Sequence, residues 1–112
     1  MKTNYSYATG KLRETIFSLA NGPEDVRKRL AQAYQGFFAL KKEHFPESLQ
    51  SDWECVHKEL TKFEPLVRED GSTFLGSVEN TCSKINKKTG VKIAKKILDI
   101  YLSLEYDYDL VL

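Results

Sequence analysis

The 112 residues of this chain are 41% hydrophobic and 29% charged, and 17 basic residues against 16 acidic ones leave a net charge of +1. This balance is typical of one globular domain over residues 1–112, and it excludes a polycationic protein. No apolar run approaches the roughly 20 residues that span a bilayer, and the first residues carry no apolar signal core. We therefore expect a cytoplasmic protein whose two cysteines, Cys55 and Cys82, are reduced and buried.

The first predicted helix runs from about Tyr7 to Ala20. An apolar stripe at helical spacing indicates it, formed by Ala8, Leu12, Ile16, Leu19 and Ala20. We expect Asn21-Gly22 to end this helix, because both residue types tolerate the left-handed conformation that closes many helices.

Two further helices are predicted on either side of a short connection at His44-Phe45. The second runs from Pro23 to about Glu43 and the third from Pro46 to Lys62 or Phe63, since proline is favoured at the first helical position. Apolar side chains recur at steps of three and four in both helices: Val26, Leu30, Ala33, Phe37 and Leu40 in the second, and Leu49, Trp53, Val56, Leu60 and Phe63 in the third. So short a connection predicts that the two helices pack as an antiparallel hairpin at the centre of the fold. Gly36 predicts close approach of another element to the second helix.

The C-terminal half begins with a predicted irregular stretch from Leu66 to Thr73, which contains a turn at Asp70-Gly71-Ser72. Helical spacing then resumes at Leu75, Val78, Cys82 and Ile85. We expect a break near Asn86–Gly90, although the spacing also allows one helix from Phe74 to Leu104.

The last helix is predicted to pack between several neighbours, because its apolar face is broader than one stripe. That face consists of Ile93, Ala94, Ile97, Leu98, Ile100, Tyr101 and Leu104. The tail, at about residues 105–112, is expected to be irregular. The chain is therefore predicted to be all-α, a compact bundle of four or five helices.

Six lysines lie between residues 84 and 96 without an acidic residue among them: Lys84, Lys87, Lys88, Lys92, Lys95 and Lys96. Lysines occupy the first turns of the last helix, and the acidic Asp99 and Glu105 lie toward its end. The helix dipole disfavours this order of charges, because it favours acidic residues at the start of a helix and basic ones at its end. Contact with nucleic-acid phosphates or with a partner would explain this order. The residues predicted to make such contacts are Lys84, Lys88, Lys92, Lys95 and Lys96. The alternative is a solvated face that the acidic tail balances.

Three aromatic residues, Phe17, Tyr34 and Phe38, lie off the main stripes of their helices. The pattern favours a second buried face on each helix. If these residues are instead exposed together, they form a partner site, since aromatic side chains are enriched at interfaces. Trp53 lies on the stripe of the third helix, where we expect a core residue rather than a ligand-stacking one. The C-terminal tail either docks on a partner or on the lysines, or frays.

The sequence contains no assembled catalytic, cofactor-binding or metal-binding motif. Its histidines are His44 and His57. His57 lies two residues from Cys55, a spacing that points the two side chains to different faces of a helix. No set of Cys and His residues completes the usual four-ligand zinc site. We therefore expect no cofactor and no catalytic pair of Cys55 with His57 or of Cys82 with His44.

Three segments of the chain resemble small helical bacterial proteins of unknown function. These segments are Val26-Arg27-Lys28-Arg29-Leu30 after Gly22-Pro23, then Phe45-Pro46-Glu47, and finally Thr89-Gly90-Val91-Lys92-Ile93-Ala94 with Ile97 and Tyr101. The likeness covers most of the chain, and its motifs are helix starts and apolar stripes. The resemblance therefore carries over no catalytic or binding residue.

Together these features favour a small cytoplasmic protein-interaction or regulatory module without catalysis. Its expected partner is an unidentified protein or a second copy of the chain, and no membrane is expected. The alternative hypothesis is a nucleic-acid-associated protein that uses the lysine cluster of residues 84–96. The dependence of binding on salt concentration distinguishes the two hypotheses, because binding through phosphates weakens steeply as the salt concentration rises.

Overall fold

The computed structural model describes residues 5–22 and 24–109, and of residues 107–109 only the backbone. Within these residues lie five α-helices: α1 (Ser6–Asn21), α2 (Val26–Phe37), α3 (Glu47–Leu60), α4 (Ser77–Lys84) and α5 (Lys87–Ser103). A 3-10 turn at Lys42–His44 precedes α3, and a π-helical segment, Leu104–Asp109, continues α5. The predicted all-α bundle is confirmed.

The core of the bundle forms around α5. The buried side of this helix carries Ile93, Ile97 and Ile100, and α1, α2 and α3 pack on it. Fully buried residues of those helices belong to the same core cluster, among them Leu12, Leu30 and Val56. The broad apolar face predicted for the last helix thus serves three neighbours at once.

The predicted central hairpin of the second and third helices is wrong. α2 packs along α1, α4 and α5, whereas α3 packs on α5 and α4. The reason is that α2 ends at Phe37 rather than near Glu43, so residues 38–46 form a longer connection than the pattern suggested. The last residue of α2 contacts the middle of α3, where the Phe37 ring lies edge-on to the Trp53 ring with centroids 5.5 Å apart.

Side-chain capping sets the start of α2. The helix begins at Val26, because the Asp25 carboxylate accepts the N–H of Arg27 at 2.9 Å and caps it. Pro23, which was predicted to open this helix, lies outside the described residues. In α3, Pro46 is the N-cap and Glu47 the first helical residue, one position later than predicted.

Close packing, rather than left-handed backbone, requires the glycine after α1. Gly22 is extended, with φ −68° and ψ 154°. A Cβ atom there would lie 2.8 Å from the Ser18 carbonyl oxygen and 2.9 Å from Cγ of Arg29. Gly36 has open space around it, so the close approach predicted there is wrong. The close helix contact lies instead at Gly90, where a Cβ atom would lie 2.9 Å from Cγ1 of Val26.

The stretch predicted to be irregular contains a small antiparallel hairpin, β1 (Leu66–Val67) paired with β2 (Thr73–Leu75). The predicted turn is confirmed, with Gly71 at φ +87°. Strands of two and three residues are too short to show the alternation that identifies a strand in a sequence. Leu66, Val67 and Phe74 are exposed, so the hairpin stands outside the core.

The predicted break before the last helix is confirmed, and one helix from Phe74 to Leu104 is excluded. α4 ends at Lys84, Ile85 is extended, and the Asn86 side chain caps α5 by accepting the N–H of Thr89 at 2.8 Å. The tail, predicted to be irregular, is π-helical to Asp109, since buried Leu104 and an ion pair of Glu105 with α1 hold it. Residues 110–112 lie outside the described part of the chain. No described helix has both the length and the apolar character to cross a membrane.

Candidate interaction surface

The structure divides the lysine cluster between two helices. Lys84 ends α4, and its ammonium lies 5.3 Å from the centroid of the Phe63 ring. On α5, Lys95 pairs with Asp99 at 3.7 Å, and Lys96 Nζ donates to Cys55 Sγ at 3.1 Å. The six lysines therefore do not share one helix, because Lys84 belongs to α4 and the other five to α5.

The outward side of α5 carries exposed apolar side chains. Val91 is 56% exposed, Leu98 37% and Leu102 39%. Spacings of seven and four residues place them on one side of the helix, away from buried Ile97. The apolar pattern predicted Leu98 as a core residue and did not single out Val91 or Leu102, because periodicity does not say how many sides of a helix are covered.

α1 runs antiparallel to α5 along one edge of this apolar stripe. The first turn of α2 contacts two glycines. One is Gly22, just after α1, and the other is Gly90, in the first turn of α5. The end of α1 and the start of α5 are therefore at the same end of the bundle. At the other end, Arg13 Nη2 donates to Glu105 Oε2 at 2.8 Å. Hydrogen bonding to Tyr101 and Glu105 raises the pKa of the Arg13 guanidinium.

Phe17 extends the stripe onto α1. Phe17 follows Arg13, the residue that bonds Glu105, by one turn and lies on the outward side of α1. The antiparallel arrangement sets it beside the middle of α5, and 71% of its surface is exposed. We call Phe17, Val91, Leu98 and Leu102 the α1–α5 apolar face.

The structure does not bring together the three aromatic residues predicted as partner contacts. Phe38, just past the end of α2, is 64% exposed, whereas Tyr34 is half-buried with its ring edge-on to Phe37 at 5.3 Å. Tyr34 and Phe38 are neighbours, with ring centroids 6.3 Å apart. Phe17 lies near the other end of the antiparallel α1–α2 pair. The second buried face favoured by the sequence is wrong for Phe17 and Phe38, because no described helix covers them.

The cysteines and histidines differ in burial within the described structure. Both thiols are free, with Cys82 buried as predicted and Cys55 only half-buried where α3 meets α5. His57 is exposed. His44 Nδ1 accepts the N–H of Lys41 at 3.0 Å, which fixes the 3-10 turn. Among the described residues, no group of three or more Cys, His, Asp or Glu is placed to hold a metal ion.

A groove of about 620 Å³ lies between α2 and α4, lined by side chains of both charges that include Asp25, Arg27 and Glu79. The Asp25 carboxylate already bonds Arg27 at 2.8 Å, and this contact holds the pKa of Asp25 well below its usual range. A ligand would have to break this pair to reach either group. The groove is therefore a weaker candidate site than the α1–α5 apolar face.

Trp53 belongs to the core, as predicted. Its ring is 4% exposed and stacks on Phe45 with centroids 4.8 Å apart.

Comparison of the chain with protein-family models, with curated proteins and with solved structures finds no match. The resemblance to small helical bacterial proteins stays a prediction.

The two thiols are expected to differ in reactivity. Cys82 is 4% exposed, and burial raises its pKa to about 11. Cys55 is only half-buried, so an alkylating reagent can reach its sulfur more easily. Burial lowers the thiolate fraction of Cys82 and also blocks access of the reagent, so we expect iodoacetamide to modify Cys82 at least about 100-fold more slowly than Cys55 at neutral pH.

Peptide mass spectrometry after timed alkylation measures both rates. In guanidinium the two rates should converge, because unfolding exposes both thiols. Equal rates in the native protein would contradict the buried position of Cys82.

Proposed function

We propose that this protein is a non-catalytic protein-interaction module that binds its partner through the α1–α5 apolar face. The proposal rests on exposed apolar side chains that lie along one side of α5, with Phe17 exposed on the neighbouring helix α1. Single exposed apolar residues are ordinary on soluble proteins, whereas contiguous ones mark interaction sites.

The exposed fraction of each side chain indicates how much it can contribute to the free energy of partner binding. Full burial of a previously exposed Val, Leu or Phe side chain stabilises by about 1.5–3 kcal/mol. Phe17 and Val91 are more than half exposed, at 71% and 56%, so they have the most surface to bury on binding. Leu98 lies in the middle of the stripe, where truncation of a packed residue weakens binding most.

A paired substitution, Phe17→Ser with Leu98→Ser, tests the proposal. Both side chains lie outside the core, so we expect a small change in folding stability but at least a ten-fold loss of partner binding. Capture from a lysate with a tagged chain, quantified by mass spectrometry, measures that loss. The bait is also mixed with an untagged copy of the chain, so that self-association is detected.

The matched control is Val67→Ser with Phe74→Ser, which removes exposed apolar surface of the same kind from the β-hairpin. It should leave capture unchanged. If the α1–α5 variant and the wild type retain the same proteins, including the untagged copy, the proposal is wrong.

Nucleic-acid binding is the second candidate, and the exposure of Lys87, Lys88 and Lys92 at the start of α5 favours it. The other lysines of the cluster contact protein groups, which leaves few for phosphates. Three phosphate contacts would give a slope of about −2.7 in log affinity against log salt on duplex DNA. Anisotropy with a labelled mixed-sequence duplex between about 20 and 200 mM salt measures it. We expect no binding at the upper end of this range.

A further inference from the structure

We infer that the occupant of the α1–α5 apolar face is a second copy of this chain, with two α5 helices packed antiparallel about a two-fold axis. The inference rests on the proposed function, because it names the partner of that same surface. Two features support it: the order of charges along α5, and the symmetry of the apolar stripe.

Charges of opposite sign are separated along α5 and the π-helical segment that continues it. Residues 87–96 carry only basic charges, and residues 97–109 only acidic ones, namely Asp99, Glu105, Asp107 and Asp109. The helix dipole disfavours this order, so the stability of a single helix does not explain it. Antiparallel pairing does explain it, because the basic half of each copy then faces the acidic half of the other.

The apolar stripe fits the same arrangement. In this arrangement Val91 of one copy packs on Leu102 of the other, so the two-fold axis passes between residues 96 and 97. Leu98 of one copy then packs on the aliphatic stem of Lys95 of the other. Every contact is then made twice, as a two-fold interface requires. Lys95 is suited to this place, since its long stem covers apolar surface while its ammonium stays in water.

Ion pairs follow on one edge of the stripe. Lys92 and Asp99 are both exposed and lie on the edge away from α1. A two-fold axis that lies in the plane of the interface places the corresponding edges of the two α5 helices side by side. Lys92 of one copy therefore comes within one helical turn of Asp99 of the other. The Asp99 carboxylate already lies along this edge, 3.7 Å from Lys95 Nζ of its own helix.

Phe17 lies on the other edge, beside the middle of α5. The same axis therefore brings the two Phe17 rings close to each other, and most of their exposed surface is covered. α5 has 17 residues and is about 25 Å long, so the contact is at the small end of stable interfaces. We expect a dissociation constant of roughly 1–100 μM, as for a small reversible dimer.

A charge-reversal pair tests this geometry by analytical ultracentrifugation. In a homodimer of Lys92→Glu, the new carboxylate meets Asp99 of the other copy, and in a homodimer of Asp99→Lys the new ammonium meets Lys92. Because like charges repel, the dissociation constant of each variant alone should be at least about ten-fold higher than that of the wild type. In an equimolar mixture, one copy of each pairs with only attractive contacts, and the affinity should return to near that of the wild type. Lys58→Glu, an equal charge change at an exposed position of α3, is the control and should not weaken the dimer.

Phe17→Ser tests the apolar part without altering α5, and it should also weaken the dimer. A wild-type chain that stays monomeric at several hundred micromolar overturns the inference, as does a dimer that neither Phe17→Ser nor Lys92→Glu weakens. Failure of the mixture to associate overturns the antiparallel register.

Failure of the inference can be told apart from failure of the proposed function. If the wild type is monomeric yet captures a lysate protein only when Phe17 and Leu98 are intact, the surface binds a different partner, and only the inference falls. Binding of the monomer to an acidic amphipathic peptide, or to vesicles containing phosphatidylserine, would identify that other occupant. If neither association nor capture depends on this face, both fall.

Discussion

Replacement of Trp53 by alanine is expected to lower the free energy of unfolding by about 3–5 kcal/mol. The side chain is 4% exposed, and its ring contacts the rings of Phe45 and Phe37. It therefore joins α3, the connection before α3 and the end of α2. Alanine would leave a cavity that these three elements cannot close without moving together, because the backbone on each side is held by its own contacts.

Urea denaturation followed by far-ultraviolet circular dichroism measures the loss, since the substitution removes the tryptophan fluorescence. Trp53→Phe keeps an aromatic ring in the site and should cost less than Trp53→Ala. Phe17→Ala, at a site 71% exposed, should change stability by no more than about 0.5 kcal/mol. A Trp53→Ala protein as stable as the wild type would show that this packing is wrong.

Replacement of Thr81 by valine is expected to cost about 1–3 kcal/mol, because it leaves a backbone N–H without its partner. Thr81 is fully buried on α4, and its Oγ1 accepts the N–H of Phe63 at 2.9 Å. Ser77 Oγ donates to the Phe63 carbonyl at 2.7 Å, and Asn80 Nδ2 to that of Glu64 at 2.7 Å. Side chains of α4 thus hold the segment that follows α3.

The same denaturation experiment tests this role. Thr81→Ser keeps the hydroxyl and should retain more of the stability than Thr81→Val, although it loses a buried methyl group. Thr73→Val changes an exposed strand residue and should be close to neutral. Equal stability of Thr81→Val and the wild type would mean that the Phe63 N–H finds another acceptor.

The helices and most core positions could be predicted from the sequence because both depend on local periodicity. Steps of three and four in α2 and α3 identify Leu30, Phe37 and Trp53 as core residues, and the structure buries all of them. The break at Asn86 was also readable, since its side chain is a good helix cap. Such features act over a few residues and need no knowledge of the neighbours.

Helix pairing could not be predicted in the same way. The connection at His44-Phe45 was expected to be short, but α2 stops at Phe37, and α2 then packs on α1, α4 and α5. Pairing depends on which apolar surfaces fit best across the whole chain. A two-strand hairpin and a π-helical segment are likewise stabilised by contacts that sequence patterns do not contain.

The order of charges along α5 is a property of the sequence alone, and so is the breadth of the apolar surface of this helix. Only the tertiary structure decides which of them is buried. α1, α2 and α3 cover three sides of α5 and leave Val91, Leu98 and Leu102 exposed on the fourth. Burial depends on the number and position of neighbouring helices, whereas periodicity reports only that a helix has an apolar side.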